Sequence, residues 1–289
     1  MNIAIITGGD NSEREISLQS AANIQQILSI SDEYIFYFPF ERNRFLHQKD
    51  IIDVCIPIIH GKGGEDGQIQ LFLEKIDMPY LFSGPESHQQ AFNKRTAKNI
   101  ISNKQISVPK EFIRGDVFKN PIFVKPISGG SSIQTAIIDS RQDLDMFIAD
   151  NKDIEILAEE RIIGREFSVG VIEYVNGLES LPVIEIIPKN SFFDYDAKYT
   201  TDNLAHEVCP ADISDKIKNR LQLAAVFVHK KFNCQDISRS DFILHDDKIY
   251  FLEVNTIPGM TENSLIPKEL VVENISLKDL LLFWIKNKL

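Results

Sequence analysis

The stretch "YFLEVNTIPGMTENSL", residues 250–265, ends an apolar run with a carboxylate and an amide and then breaks at Pro258-Gly259. The run predicts a buried strand. Alternate strand residues point to the same face, so the side chains of Glu253 and Asn255 are expected about 7 Å apart on one face. Two oxygen donors at a strand exit fit a metal site, a turn cap or a solvated strand end.

The longer segment "SRSDFILHDDKIYFLEVN" predicts an antiparallel hairpin that turns at His245-Asp246-Asp247. Pairing of its two strands brings Asp241 to the same end of the sheet as Glu253 and Asn255. Magnesium prefers oxygen ligands and is usually held by one or two carboxylates together with substrate phosphates. The hairpin therefore predicts a magnesium site, with ordinary acids at a solvated strand end as the alternative.

Length and composition indicate a globular chain of two or three domains, since 289 residues exceed the ~100 to 150 residues of one domain. The 42 acidic residues outnumber the 31 basic ones, and the net charge of −11 argues against nucleic-acid and anionic-membrane partners. The 3 scattered cysteines predict neither a disulfide framework nor a zinc site. We expect a cytoplasmic protein, because the sequence has neither a signal peptide nor an apolar run of ~20 residues.

The order of the predicted elements divides the chain into three parts. Residues 1–93 alternate short apolar strands with helices, which favours a parallel α/β domain. Residues 94–175 and 176–289 are expected to form two α+β modules that contain strand hairpins. One helix is predicted over residues 87–104. The aromatic and polar stretch 186–214 has little periodicity, and a loop of this length is expected to be functional.

Candidate nucleotide ligands lie in the central part. Lys125 ends a strand, and the glycine-serine turn 129–132 can bring backbone N–H groups close to a phosphate. Lys94 is a further candidate cation. Glu159 and Glu166 flank a short link that could present backbone groups to an adenine edge and a carboxylate to ribose hydroxyls. The alternatives are a surface lysine, an ordinary tight turn and a charged surface segment.

Two candidates for substrate binding follow glycines in the N-terminal part. The segment after Gly8-Gly9 lacks the G-x-G-x-x-G spacing, and its acids would repel a pyrophosphate, so a dinucleotide site is excluded. Glu13 is suited instead to capping a helix or to holding an ammonium group. His60 directly follows a strand and is expected at the same sheet edge as Glu13, unless it is an ordinary core histidine.

Seven motifs, in this order, resemble the D-alanine–D-alanine ligases of the ATP-grasp superfamily: "GGDNSEREIS", "HGKGGEDG", "VKPISGGSS", "EERIIGREFSVGV", "FFDYDAKY", "RSDF" and "LEVNTIPGMTENSLIP". The likeness spans essentially the whole chain. It implies an N-terminal α/β domain and two α+β modules that grip ATP. It also implies ligation of two D-alanine molecules through an acyl phosphate, with release of ADP and phosphate, for peptidoglycan synthesis. A homodimer with two Mg²⁺ or Mn²⁺ ions is the corresponding expectation.

The resemblance also implies roles for individual positions. The ATP contacts would be Lys94, Lys125, Ser131, Ser132, Glu159, Glu160, Ile162, Glu166 and Lys198. The metal ligands would be Asp241, Glu253 and Asn255. The first D-alanine would contact Glu13, His60 and Arg239, and the second would contact Ser264 and Leu265. Arg239 and the Gly259 N–H would stabilise the tetrahedral oxyanion, and Glu13, Ser131 and Tyr199 would form a network for proton handling and lid closure.

Four positions depart from the family's pattern. Ser238 and Ser240 flank Arg239 where glycine and an aliphatic residue are usual, Gln134 replaces a glycine, and Asn11 replaces a serine. These changes bear on the packing under Arg239 and on the mobility of the phosphate loop. Two other functions are alternatives: ligation of a different amino acid, and nucleotide-dependent regulation without catalysis. Tyr199 favours the dipeptide over D-alanyl-D-lactate as product.

Overall fold

The computed structural model describes residues 1–101, 106–113, 115–130, 134–188 and 206–289. Helices in these ranges are α1 (Arg14–Leu28), α2 (Arg42–Gln48), α3 (Gln68–Glu74), α4 (Pro85–Phe92), α5 (Lys94–Ile101), α6 (Arg141–Asp150), α7 (Asp215–Lys231), α8 (Leu265–Val272) and α9 (Leu277–Lys288). Strands in these ranges are β1 (Ile3–Gly8), β2 (Ile35–Phe38), β3 (Val54–Pro57), β4 (Ile122–Pro126), β5 (Ala136–Ile138), β6 (Ile156–Glu160), β7 (Arg165–Tyr174), β8 (Gly177–Ser180), β9 (Ile184–Ile187), β10 (His206–Val208), β11 (Ile237–His245) and β12 (Lys248–Asn255). No helix within these ranges is both long and apolar enough to cross a membrane.

The N-terminal part is built on a parallel sheet with the strand order β2-β1-β3. All residues of the central strand β1 are buried, as expected for an apolar strand that is covered on both faces. Because the strands are parallel, the loops after β1 and β3 leave from the same sheet edge. These loops carry Glu13 and His60, so the expected parallel domain and its sheet edge are confirmed.

Two antiparallel sheets follow. The central one has the order β5-β4-β6 and packs on α6, whose buried residue is Leu144. The larger one has the order β10-β9-β7-β11-β12, with β8 paired to β7. Its hairpin turns at Asp246 and Asp247, which have positive φ angles of 45° and 60° as in a type I′ turn. The α/β plus α+β architecture is therefore as expected.

The C-terminal helix α9 joins the large sheet to the N-terminal domain. Trp284 is fully buried in a cluster that also contains Ile5 of β1 and Ile172 of β7. Its indole N–H donates to the Glu173 carbonyl oxygen at 2.6 Å. The domain and the sheet therefore share one apolar core, which limits their relative movement.

The single helix expected over residues 87–104 is wrong, because α4 and α5 are separated at Asn93. Asn93 has an extended ψ of 104°, and its side-chain oxygen accepts the Thr96 N–H at 2.9 Å, so it caps α5. The Lys94 N–H donates to the Ile127 carbonyl oxygen at 2.8 Å. This contact with the central sheet ends α4 and places Lys94 at the start of a new helix.

The strands β6 and β7 follow each other in the chain but belong to different sheets. β6 pairs with β4, whereas β7 pairs with β11 in the large sheet. The link 161–164 therefore passes from one sheet to the other. The division expected after residue 175 stays a prediction, and the sheet membership of β7 favours a boundary within this link.

A buried carboxyl group fills a gap in the large sheet. β7 pairs with β9 through residues 166–168 and with β8 through residues 171–174, so Gly170 lies between the two pairings. The Gly170 N–H donates to Glu269 Oε1 of α8 at 2.8 Å, and Glu269 is fully buried. Burial raises the pKa of the Glu269 carboxyl well above its usual value. The folded protein therefore retains this proton to a higher pH than the unfolded chain does.

We expect the Glu269→Gln variant to be more stable than the wild type at about pH 8. The unfolded carboxyl ionises near its usual pKa of 4.5, whereas the folded one keeps its proton. As the pH rises above about 4.5, wild-type stability should fall by up to about 1.4 kcal/mol per pH unit, until the folded carboxyl also ionises. Glutamine keeps the acceptor for Gly170 and does not titrate. Urea unfolding from about pH 4.5 to about pH 8 measures the difference.

The matched control is Glu273→Gln, which changes an exposed residue one helical turn further along the chain. This control should follow the wild-type pH dependence. A Glu269→Gln profile parallel to that of the wild type would contradict the assignment of a protonated carboxyl.

Candidate active site

A cavity of about 1880 Å³ lies between the N-terminal domain and the two antiparallel sheets. Every predicted site residue in the described part of the chain lines it: Glu13, His60, Lys94, Lys125, Glu159, Glu160, Ile162, Glu166, Arg239, Asp241, Glu253, Asn255, Gly259, Ser264 and Leu265. The other predicted residues, Ser131, Ser132, Lys198 and Tyr199, lie outside the described residues. The sequence therefore identified a set of side chains that the fold brings to one place.

The candidate metal ligands lie on the paired strands β11 and β12. Asp241 is directly opposite Glu253, and Asn255 is opposite Arg239. The Asn255 amide donates to Asp241 Oδ2 at 3.1 Å, and the Ser168 hydroxyl donates to Asp241 Oδ1 at 2.6 Å. The expected convergence of Asp241, Glu253 and Asn255 at one end of the hairpin is confirmed.

This donor set fits a hard divalent cation. Two carboxylates and an amide supply oxygen atoms, which Mg²⁺ and Mn²⁺ prefer, and the cavity leaves further positions to phosphate oxygens and water. Among the described residues, no group of three or more His, Cys, Asp or Glu side chains is arranged to hold a metal. A cation here would therefore depend on Asn255 and on the ligand as well as on the two carboxylates.

Arg239 binds both oxygen atoms of the Asp241 carboxylate. Its Nε lies 3.1 Å from Oδ1 and its Nη2 lies 2.9 Å from Oδ2, so the pair is bidentate. The serines that flank it are fully buried, and Ser238 bonds to His229 Nδ1 at 2.9 Å. The Ser240 hydroxyl has no hydrogen-bond partner among the described residues. The two serines therefore put hydroxyl groups under Arg239 where the family has apolar contacts or space.

Lys94 links the phosphate turn to the metal ligands. Its ammonium group donates to the Gly129 carbonyl oxygen and lies 3.5 Å from Glu253 Oε2. Burial lowers the pKa of Lys94, whereas the charge of Glu253 acts to raise it. Gln134, at the far end of the turn, has a left-handed φ of 56°, a conformation that favours the glycine usual in the family.

Lys125 of β4, Glu159 of β6 and Lys98 of α5 form a buried charge cluster. Lys125 Nζ lies 2.8 Å from Glu159 Oε1, and Lys98 donates to Glu159 Oε2. The exposed fractions of Lys98, Lys125 and Glu159 are 5%, 7% and 2%. Burial alone would raise the pKa of Glu159, but Lys125 and Lys98 together lower it, so this carboxylate is ionised.

The link 161–164 forms another wall of the cavity. Ile162 and Glu166 face the cavity from the link and from the start of β7. The Glu160 N–H donates to the Lys110 carbonyl oxygen at 2.8 Å, and Glu160 Oε1 accepts the Lys110 N–H at 3.1 Å. Since the N–H of Glu160 is engaged, a backbone donor to an adenine edge would come from later residues of the link.

Glu13 lies against two glycine backbones at the start of α1. Its N–H donates to Asn11 Oδ1 at 2.7 Å, and the Asn11 amide bonds to the His60 and Lys62 carbonyl oxygens at 3.0 and 2.7 Å. Gly61 has a φ of 71°, and a Cβ there would overlap the Glu13 carboxylate. Asparagine in place of the usual serine therefore ties the Glu13 turn to the Gly61 turn.

Helix α1 also positions His60 and the Pro-Gly turn. His60 Nε2 lies 3.1 Å from Ser20 Oγ, and Nδ1 lies 3.7 Å from Glu65 Oε1. One turn further along α1, the Asn23 amide donates to the Met260 carbonyl oxygen at 2.6 Å. The imidazole at the cavity wall is therefore held by a polar network rather than packed as an apolar core residue.

Gly259 and Ser264 are in close contact where α8 begins. A Cβ on Gly259 would lie 2.8 Å from the Ser264 hydroxyl oxygen. That oxygen accepts the Thr261 N–H at 3.1 Å and lies 2.7 Å from the Thr261 hydroxyl. The absence of a side chain on Gly259 thus lets the backbone approach the N-terminal residues of α8, including Leu265.

Sequence reasoning missed polar residues behind the cavity wall, among them Lys98 and Ser168 as well as Ser20 and Asn23 of α1. Ser168 gave no signal, because a serine within an apolar strand is common. Lys98 follows Lys94 by four residues and therefore shares its helix face, which was the available signal. Once Lys94 is assigned to the site, a second lysine on the same helix face is expected to lie near the site as well.

A family model and individual relatives indicate the same protein family for this chain. The family model described as "D-ala D-ala ligase C-terminus" matches residues 90–286. The chain is 36% identical to the D-alanine–D-alanine ligase of Lawsonia intracellularis over 97% of this chain and 95% of that protein. It is 35% identical to that of Desulfotalea psychrophila over 97% and 92% of the two chains.

Solved structures resemble the whole chain. A D-alanine–D-alanine ligase from Bacillus anthracis, complexed with ATP, superposes with a TM-score of 0.81 at 26% identity, covering 100% of this chain and 97% of that one. The VanG D-Ala:D-Ser ligase from Enterococcus faecalis has a TM-score of 0.81 at 27% identity, with 100% of both chains covered. Overall structural similarity therefore does not separate ligases that differ in the second amino acid.

Proposed function

This chain belongs to the D-alanine–D-alanine ligase family, and we propose on that premise that it joins two D-alanine molecules and converts ATP to ADP and phosphate. The product, D-alanyl-D-alanine, would serve peptidoglycan precursor synthesis. The observation that carries the proposal is the convergence of Lys94, Lys125 and Arg239 with the oxygen donors of β11 and β12 in one cavity. An anionic nucleotide needs such local cations in a chain with a net charge of −11.

The phosphate end of ATP would lie between Lys94, Lys125 and the hairpin β11–β12. Asp241, Glu253 and Asn255 would hold two Mg²⁺ or Mn²⁺ ions. These ions would neutralise charge on the transferring phosphoryl group. Lys94 would bring its positive charge from the Gly129 side, where its ammonium group already lies. The role of these residues is to position and neutralise the phosphates before the carboxylate of the first D-alanine attacks.

The first D-alanine would bind at the end of α1. Glu13 offers a carboxylate to the substrate ammonium group, and the Asn11 network holds the Glu13 backbone against the turn at Gly61. His60 and Arg239 would lie near the substrate carboxylate. Binding both ends of an amino acid fixes its orientation, which is the main requirement for attack on the γ-phosphate.

The second D-alanine would bind near Ser264 and Leu265. Its deprotonated amine would attack the acyl phosphate, and Arg239 with the Gly259 N–H would stabilise the oxyanion. Ser131, Lys198 and Tyr199 keep their predicted roles in ATP binding, proton handling and lid closure, although they lie outside the described residues. Exclusion of water matters because water would hydrolyse the acyl phosphate.

The alternatives differ from this proposal in defined ways. A regulatory nucleotide-binding protein would not need Arg239, Asp241, Glu253 and Asn255 together at the phosphate end, and this chain has all four. A D-Ala:D-Ser ligase is a structural neighbour, so the second amino acid is a separate question. We favour D-alanine because Glu13, Tyr199 and Ser264 match the D-alanine pattern.

Location and assembly are further parts of the proposal. Cys55, Cys209 and Cys234 are free thiols, which is consistent with a reducing compartment such as the cytoplasm. The homodimer implied by the family stays a prediction. The division into residues 1–93, 94–175 and 176–289 stays a prediction as well, with the link 161–164 as the boundary we favour.

The first test is substrate-dependent phosphate release. With ATP and Mg²⁺, D-alanine should release phosphate and yield D-alanyl-D-alanine, whereas L-alanine and a reaction without amino acid should not. Mass spectrometry of reactions with D-serine and D-lactate measures the choice of second substrate. Equal phosphate release in all reactions would refute the ligase assignment.

The Glu253→Ala variant should lose at least about 100-fold in turnover, because it removes a metal ligand whose side chain is 25% exposed and contributes little to the core. Its thermal unfolding should stay close to that of the wild type. The control is Glu86→Ala, which removes an exposed glutamate of α4 and should leave turnover unchanged. Near-normal turnover of Glu253→Ala would exclude this residue as a required metal ligand.

The Gly61→Ala variant should raise the KM for the first D-alanine by about tenfold or more, since the new Cβ displaces the Glu13 carboxylate. Gly63→Ala is a matched control: Gly63 also has a positive φ, 98°, but a Cβ there meets nothing within 4 Å among the described residues. Both variants carry the same kind of backbone strain, about 1 kcal/mol. Equal KM values in the two variants would show that strain, not Glu13, causes the effect.

A further inference from the structure

Lys98 is a buried charged residue that has no role in the proposed reaction. It lies on α5 four residues after Lys94, so both ammonium groups leave the same face of the helix. Lys94 lines the cavity, whereas Lys98 is not among the described residues that do. Its ammonium group instead donates to Glu159 Oε2 behind the cavity wall. Any influence of Lys98 on a ligand must therefore pass through Glu159.

Glu159 is shared between two lysines that differ in access to the cavity. Lys125 Nζ lies 2.8 Å from Oε1, and Lys125 also lines the cavity where the nucleotide is proposed to bind. Lys98 takes the other carboxylate oxygen. Glu159 is only 2% exposed although it lines the cavity, so water is a poor replacement for a lysine that leaves its carboxylate. A buried carboxylate without a charged partner is strongly unfavourable.

The charges in the cluster do not balance. Two lysines and one glutamate leave a net charge of +1 when all three are ionised, which suits a site for an anion. For Lys125 to bind a phosphate, it must weaken its ion pair with Glu159. It can do so at low cost only when a second cation stays on that carboxylate.

We propose that Lys98 is a positioning residue for ATP: it holds the Glu159 carboxylate so that Lys125 can turn to the nucleotide phosphates. The proposal rests on the proposed ATP-dependent function of the cavity. In the nucleotide complex, Lys98 and Glu159 form the buried neutral pair, and Lys125 is paired with phosphate. Without Lys98, Glu159 retains Lys125 and competes with ATP for it.

The protonation of Lys98 gives the cluster a dependence on pH. Burial and the charge of Lys125 lower the pKa of Lys98 to about 7, although Glu159 acts to raise it. Glu159 on β6 and Lys125 on β4 are the titratable groups that face Lys98 in the described part of the chain. Below that pH Lys98 is charged and holds Glu159. Above it the support is lost, and Lys125 is drawn back to the carboxylate.

The test is binding of a non-hydrolysable ATP analogue with Mg²⁺, measured by calorimetry on the wild type and on Lys98→Met. Methionine has a similar length and carries no charge, so the α5 packing is retained. We expect the Kd to rise by about tenfold or more, because removal of one partner of a buried charge pair has effects of this order. The KM for ATP should rise in parallel, while kcat changes much less. An unchanged Kd would overturn the proposal.

The pH dependence separates positioning from a general structural defect. We compare the Kd of Lys98→Met with that of the wild type as a ratio at each pH. Protonation of the nucleotide affects both Kd values equally and therefore does not change this ratio. This ratio should decline towards one between about pH 6 and about pH 9, as the wild-type Lys98 loses its proton. A ratio that is constant over this range would show that the charge of Lys98 has no part in ATP binding.

Two further variants complete the design. Lys218→Met removes an exposed lysine that pairs with Asp215, and it should leave the Kd unchanged. In a Glu159→Gln background, Lys98→Met should have little additional effect, since the carboxylate that Lys98 controls is gone. A full additional effect in that background would contradict the proposed route. Because the binding assay contains no D-alanine, it distinguishes failure of this proposal from failure of the ligase assignment.

Discussion

The candidate active site depends on one constraint: a charge that is buried must have a partner. Lys94, Lys125 and Glu159 are buried and have charged partners from distant parts of the chain, whereas the buried Asp241 is paired with Arg239 on its own strand. Helix α5 supplies Lys94 to Glu253 of the large sheet and Lys98 to Glu159 of the central sheet. Loss of one partner typically costs about 3–5 kcal/mol where both members are buried, as in Lys98–Glu159, and less where one member is partly exposed, as Glu253 is. The relative position of the two sheets is therefore tied to the same contacts that form the cavity.

The cavity wall formed by the N-terminal domain depends on small polar residues of α1. Ser17 connects three parts of this wall: its carbonyl oxygen accepts the Thr7 hydroxyl at 3.0 Å, its Oγ accepts the His60 N–H at 2.9 Å, and its hydroxyl donates to the Glu13 carbonyl oxygen at 3.1 Å. Ser20 and Asn23 continue this network to His60 and Met260. The loops that carry the substrate-binding candidates are thus fixed to a regular helix. Loops held in this way can position substrate-binding side chains more accurately than loops held only at their ends.

The sequence predicted those features that depend on local pattern. Alternation and turn residues identified the β11–β12 hairpin, and apolar runs identified the parallel sheet around β1. Features that depend on distant contacts were not predictable. The break at Asn93 requires the Ile127 carbonyl oxygen, and the assignment of β6 and β7 to different sheets requires their separate partners. The spacing of Lys98 from Lys94 places both on one helix face, but the partner of Lys98 was not predictable, because Glu159 is 61 residues away in the chain.

Charge pairing also constrains how a nucleotide can bind. In the described structure, Lys94 lies near Glu253, Lys125 near Glu159, and Arg239 near Asp241. A phosphate that takes a lysine from its carboxylate gains one ion pair and loses another, so little affinity results. The exchange becomes favourable only when the released carboxylate finds another cation. A divalent ion that arrives with the nucleotide can do this for Glu253, and Lys98 can do it for Glu159. A metal ion at Glu253 and the buried Lys98 at Glu159 would thus have the same electrostatic role, which is to pair the carboxylate that the nucleotide leaves without its lysine.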